Sequence, residues 1–214
     1  LIRPAADTPL PAPAPTTPTE PTTLEDTGQY YDITATYPSA VALKASASVA
    51  AQATTKAVVD AWVKETIATF KANSGLETLT DEDVRIQGLG EGRKYALDIK
   101  YKTFEDTNTI TYLFEIYEDS LGAHPNAFYR SFTFDTASGK ELRIADVFEG
   151  DGYLDTLSRI SREMLVPQIM KATETPEEEF DASYIETGTT PDPNNFQVFY
   201  FEGDHLVMVF PPYQ

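Results

Sequence analysis

Apolar and polar positions follow two different periods along this chain. In "YYDITATYP", Ile33, Ala35 and Tyr37 alternate with Thr34 and Thr36, the period-two signature of a strand, and Pro38 ends it. From residue 46 to 73 the spacing becomes helical. Val59, Trp62, Val63, Ile67 and Phe70 fall on one face, and Gly75 stands where a C-terminal cap is wanted. Trp62 lies on that stripe and reads as core rather than as a stacking platform for a sugar.

The middle of the chain reads as an antiparallel meander. "KYALDIKYK" alternates Tyr95, Leu97, Ile99 and Tyr101 against polar positions, "EDTN" turns the chain, and "TITYLFEIYE" returns with Ile110, Tyr112, Phe114 and Ile116. "AFYRSFTFD" is a further strand, closed by a tight turn that ends on Gly139. A second helix is predicted over residues 153–171. Asp151 is its expected N-cap, Leu154, Leu157, Met164 and Leu165 are expected to point inward, and Pro167 is expected to kink or end it. "FQVFYFEGDHLVMVFPPYQ" is a hairpin turning at Glu202, Gly203 and Asp204, with His205 at the turn's exit. Strands and helices are segregated, without a repeating strand-helix-strand pattern. The expected fold is therefore α+β: an antiparallel β-sheet packed with two main helices.

The first 29 residues stand apart. Pro, Ala and Thr dominate there, and so little apolar surface cannot offset the entropy of ordering. Residues 1–29 are read as a disordered, extended stalk that holds the domain away from an anchor or signal segment upstream of Leu1. The folded part is read as one domain with two consecutive halves, 30–118 and 119–214.

Composition narrows the chemistry. The formal net charge is -18, a field that repels phosphate backbones and anionic lipid, so no nucleic acid is expected as a partner; a cationic protein or peptide fits better, and plain solubility is the commoner reason for such a charge. The stretch "TETPEEEFDASYIE" is acid-only and reads as a solvated face. No run of about 18 apolar residues occurs, so no transmembrane segment is predicted. The chain has no cysteine, which removes disulfides, thiolate metal sites and cysteine nucleophiles. Two histidines, His124 and His205, cannot form a multi-histidine zinc site, and no calcium loop, serine elbow or phosphate-binding loop is present. No metal and no cofactor is expected. A pair of carboxylates suited to glycoside hydrolysis is a property of the fold rather than of spacing, so a hydrolase stays open as the alternative.

The candidate site is the loop "GAHPN" and the strand after it. Gly122 and Pro125 constrain the backbone, Asn126 can hydrogen-bond its own loop, and His124 can either satisfy a loop carbonyl or contact a ligand. The candidate ligand contacts are His124, Asn126 and Tyr129, and the candidate loop-shaping residues are Gly122, Pro125 and Gly139.

In order along the chain, "YDITATYP", a helix, "LDIKYKTF", "TYLFEIYE", "GAHPN", "SFTFDTASGKELRIADVF", "YLDTLSRIS" and "LVMVFPPYQ" resemble a bacterial extracytoplasmic domain family of formerly unknown function. That family is shared by the lysozyme-sensing anti-sigma-V factor and by the N-terminal part of a peptidoglycan deacetylase. One departure is local: two glycines often precede Ala-His-Pro in the family, whereas here Leu121 precedes a single Gly122. The deacetylase chemistry is not implied, because Thr136 follows "TFD" where a second aspartate is needed. The resemblance implies a non-catalytic binding or sensing domain, secreted or tethered to the cell envelope. Its expected partner is a cell-wall-associated ligand, either a lysozyme-like protein or peptidoglycan.

Overall fold

The computed structural model describes residues 20–90 and 92–211. Six strands form one sheet in sequence order: β1 (Thr22–Thr27), β2 (Tyr31–Tyr37), β3 (Tyr95–Glu105), β4 (Thr109–Asp119), β5 (Asn126–Asp135) and β6 (Glu141–Leu142). The sheet curls into a half-barrel. Five helices accompany it: α1 (Val49–Asn73), α2 (Asp81–Gln87), α3 (Ile144–Val147), α4 (Tyr153–Thr173) and α5 (Ser183–Gly188). A separate hairpin, β7 (Phe199–Glu202) with β8 (His205–Met208), closes the described chain.

The α+β class holds, with two corrections to the expected arrangement. The sheet is not wholly antiparallel, because β2 runs parallel to β3, with Ile33 opposite Leu97 and Ala35 opposite Ile99. A helix inserted between two neighbouring strands carries the chain back to its starting end, so the second strand must enter in the same direction as the first. The second correction is that five helices, not two, pack with the sheet. The line at residues 118 and 119 falls inside the sheet: β4 and β5 pair continuously from Thr109 opposite Asp135 to Glu118 opposite Asn126.

Of the stalk read over residues 1–29, residues 1–19 lie outside the described residues, while Thr22–Thr27 form strand β1. β1 pairs antiparallel with β2, and Leu24 packs against the main core. Asp26 on β1 accepts hydrogen bonds from Lys71 of α1 and from the Tyr31 hydroxyl. The Lys71 hydrogen bond holds the Asp26 carboxyl below its usual range, and Asp26 in turn raises Lys71. Low apolar content hides such a strand, because its order comes from pairing and one ion pair rather than from burial.

The main core lies between α1 and one face of the sheet. Val59, Val63, Ile67 and Phe70 of the helix meet Ile33, Leu97, Ile99, Phe114, Ile116 and Phe132, all buried. Trp62 joins this cluster as expected, 4.8 Å from the Phe114 ring and 5.5 Å from Phe132. Ser48 caps the start of α1 by accepting from the Ala51 N–H at 3.0 Å, and Gly75 takes φ 61 just beyond its end.

Strand alternation sends Thr111, Ser131 and Thr133 to the opposite face of the sheet, where a second layer packs. β7 lies across them. Ser131 Oγ accepts from the Phe199 N–H at 3.0 Å and donates to the Gln197 carbonyl at 3.3 Å, while the Thr133 hydroxyl donates to the Phe199 carbonyl at 3.3 Å. Phe104 stacks on Tyr200 with ring centroids 3.7 Å apart. A smaller core of Ile144, Phe196 and Phe199, bordered by Leu154, Leu157 and Leu206, holds α3, α4 and the hairpin together.

Helix α4 differs in detail from its prediction. Gly152, with φ 90, occupies the N-cap in place of Asp151. The helix also runs through Pro167 and ends at Glu174, whose backbone has φ 53 and whose N–H donates to the Met170 carbonyl. Leu154 and Leu157 face the small core, but Met164 is 56% exposed.

Candidate functional site

The residues singled out from the "GAHPN" loop separate in space. His124 is exposed in the loop, its Nδ1 3.0 Å from the Pro125 carbonyl oxygen. Asn126 is exposed at the start of β5, opposite Glu118, whose carboxyl is pushed up by burial. Tyr129 stands three positions further along, and the period-two pleat turns it to the other face of the sheet. Only Tyr129 enters a concave surface; neither His124 nor Asn126 lines it.

The loop-shaping residues also divide. Gly139 has φ 74, and a Cβ there would lie 3.1 Å from Ala51 Cβ and 3.2 Å from both Leu43 Cδ1 and Thr55 Cγ2. Gly122 does not take a positive φ, and an added Cβ would meet nothing within 4 Å. The left-handed residue of that loop is Leu121, at φ 61, the position that carries a glycine in the resembling pattern. Its amide is held by the Asp119 carboxylate at 2.8 Å, and its side chain packs on the main core, which together keep a non-glycine residue in this conformation. Pro125 is exposed.

Tyr129 forms one wall of an apolar groove of about 820 Å³. The second half of α4 contributes Leu165, Ile169 and Thr173, α5 contributes Tyr184 and Ile185, and the segment after β8 contributes Val209, Phe210 and Pro211. Arg162 braces the helical wall: its Nε donates to Thr189 Oγ1 at 2.9 Å and its Nη2 to the Glu186 carbonyl at 3.2 Å. The Thr189 hydroxyl, in a residue 1% exposed, donates in turn to the Ile185 carbonyl at 2.6 Å. The position of α5 is thus fixed by a chain of hydrogen bonds as well as by apolar contact.

After Lys171 no lysine or arginine follows in the sequence, while Glu174, Glu177, Glu178, Glu179, Asp181 and Glu186 are all exposed between the end of α4 and α5. No carboxylate lines the groove itself. Two further concavities hold one carboxylate each, Glu141 in a cavity of about 490 Å³ and Asp83 in one of about 310 Å³. None of the three brings two carboxylates together. Among the described residues, no group of three or more His, Asp or Glu is placed to hold a metal ion, and no helix is long and apolar enough to cross a membrane.

Sequence reasoning found Tyr129 but not the rest of the groove. The signal available was the apolar spacing of Leu165 and Ile169 at i and i+4 on α4, which reads equally well as core.

Residues 145–214, from α3 to the end of the chain, match the model of a family described as a protein of unknown function (DUF3298). Among curated proteins none matches the chain. The chain is similar to the crystal structure of a DUF3298 family member from Bacteroides fragilis NCTC 9343, with 17% sequence identity, a TM-score of 0.56, and coverage of 91% of this chain and 85% of that one. It is also similar to a DUF3298 family protein from Pseudomonas aeruginosa PAO1, with 15% identity, a TM-score of 0.47, and coverage of 81% and 74%. The first likeness is one of fold.

Proposed function

We propose that this is a non-catalytic extracytoplasmic binding or sensing domain whose partner is a cell-wall-associated ligand, in first place a cationic, lysozyme-like protein. The observation that carries the reading is the groove between Tyr129, α4 and α5: an apolar lining, with exposed acids in the segment that joins the two helices and no base in the sequence beyond Lys171. An apolar anchor from the partner fills such a groove and excludes water. The surrounding carboxylates steer a basic protein toward it and set its orientation. The resemblance of "GAHPN" and "FDTASGKEL" to the lysozyme-sensing anti-sigma-V factor supports the same class of partner.

The hydrolase alternative needs two carboxylates across a cleft, and none of the three concavities supplies them. Peptidoglycan binding without catalysis is the remaining variant of the proposal.

The test is titration of the full chain with a basic lysozyme at low and at physiological salt, with Ile169→Glu as the groove variant. Saturable binding is expected at both salts, weaker at the higher, and a loss of affinity of about tenfold or more in the variant. Absence of saturable binding at both salts overturns the lysozyme reading. Co-sedimentation with purified peptidoglycan then decides whether the wall polymer takes its place.

A further inference from the structure

The cavity of about 490 Å³ lies at the outer edge of β5 and shares no lining residue with the groove. β6 pairs only with Thr133 and Phe134, so among the described residues no strand covers the edge beside Arg130 and Ser131. The cavity is bounded there by Arg130, Glu141, Arg143 and Asn194, with Leu142 and Phe199 among its apolar walls.

Two arginines, Arg130 and Arg143, line this space in a chain whose net charge is -18. The first is held rigidly. Arg130 lies over the Phe132 ring, its Cζ 4.6 Å from the centroid, and its Nη2 donates to Glu141 Oε1 at 3.2 Å. That single ion pair leaves most of a five-donor fork unused, and Nε is buried without any partner. The second, Arg143, is exposed at the start of α3. Its main-chain N–H donates to Asp146 Oδ2 at 2.8 Å, but its side chain makes no ion pair among the described residues. Asp146 is answered instead by Lys140. Of the residues that line the cavity, two carry a guanidinium and one a carboxylate.

Other polar groups nearby are already committed. Ser131 Oγ is used by the Phe199 N–H and the Gln197 carbonyl, and the Gln197 amide donates to Asn194 Oδ1 at 2.7 Å. The unused binding capacity is thus a planar cation fork beside apolar walls. We infer that this cavity is a binding site for a singly charged organic carboxylate, held by the Arg130 and Arg143 guanidiniums with its apolar part against Leu142 and Phe199.

A carboxylate fits for two reasons. Its two oxygens match the fork geometry of a guanidinium. Its single charge balances the excess of one positive charge in the cavity, whereas a doubly charged phosphate would also face the Glu141 carboxylate. The site is independent of the lysozyme reading, and failure of either leaves the other intact.

The experiment follows the Arg130 and Arg143 side-chain Nε–H signals by NMR while acetate, benzoate, benzamide and inorganic phosphate are titrated into the full chain. Acetate and benzoate are expected to shift both signals saturably, benzoate the more tightly. Benzamide is expected to leave them in place, and phosphate to bind more weakly than benzoate. Arg143→Gln, on an exposed side chain, is expected to weaken benzoate binding about tenfold, and Arg130→Lys, which keeps the charge but loses the fork, by at least as much. Should Arg130→Lys fail to fold, Arg143→Gln alone decides. The proposal is overturned if neither carboxylate moves the two signals, if benzamide binds as well as benzoate, if phosphate binds more tightly than benzoate, or if Arg143→Gln leaves benzoate affinity unchanged.

Discussion

The hydroxyl of Ser131 bridges two main-chain groups of one neighbouring segment, accepting from the Phe199 N–H at 3.0 Å and donating to the Gln197 carbonyl at 3.3 Å. A side chain on the sheet thus does for β7 what a paired strand would otherwise do. Ser131→Ala leaves a buried amide without an acceptor, which costs about 1–3 kcal/mol. Urea denaturation is expected to show a lower midpoint with an unchanged slope. A midpoint equal to that of the parent protein would mean that the bridge contributes nothing to stability.

Tyr112 carries a pH dependence that can be read directly. Its ring is 3% exposed, and burial pushes its hydroxyl up from 10.0 to about 12, against the pull of the Ala42 N–H that donates to it at 3.0 Å. The unfolded chain releases this proton at lower pH than the folded one, so the stability is fully present below pH 10 and falls as the pH rises toward 12. The loss amounts to roughly 2–3 kcal/mol across that window. Denaturation midpoints measured at pH 9 and pH 11.5 should fall less in Tyr112→Phe than in the parent protein, and equal slopes would refute the assignment.

The two glycines of the candidate loops respond differently to the same change. Gly139→Ala places a methyl group against Ala51, Leu43 and Thr55 at a φ of 74, and is expected to cost about 1–3 kcal/mol. Gly122→Ala meets open space without a positive φ and is expected to stay within about 0.5 kcal/mol of the parent. Thermal melts of the two variants side by side test both, and equal shifts would count against the backbone account.

Strands β2 to β5 were legible because each buries one face, which writes a period of two into residues such as Ile33, Leu97, Phe114 and Phe132. β1 was not, since pairing with β2 and an ion pair hold it, with Leu24 alone of its side chains packed on the core. Helix α2 left a signal that went unread: Thr80 and Asp83 form a capping box and Gly88 ends the helix at φ 65, but no residue of the helix is buried, so no apolar stripe marks it. The parallel step was implied by a helix standing between two strands, although one such unit makes no repeat. For the candidate site, sequence placed Tyr129 correctly among the lining residues but grouped it with His124 and Asn126, because nearness along a strand does not fix the face. Arg130 and Arg143 line one cavity because β6 is two residues long and leads straight into α3, which residue spacing does not show.

The parallel pairing of β2 with β3 also constrains the order in which the molecule assembles. β3, β4 and β5 are joined by short turns, and so are β1 and β2, so each group can form from contacts close in the chain. Ile33 and Leu97 meet only after the whole of α1 and α2 has been laid across, which makes their docking the entropically expensive event. Two locally built pieces are thus expected to precede the finished half-barrel, with the long helix as the tether between them.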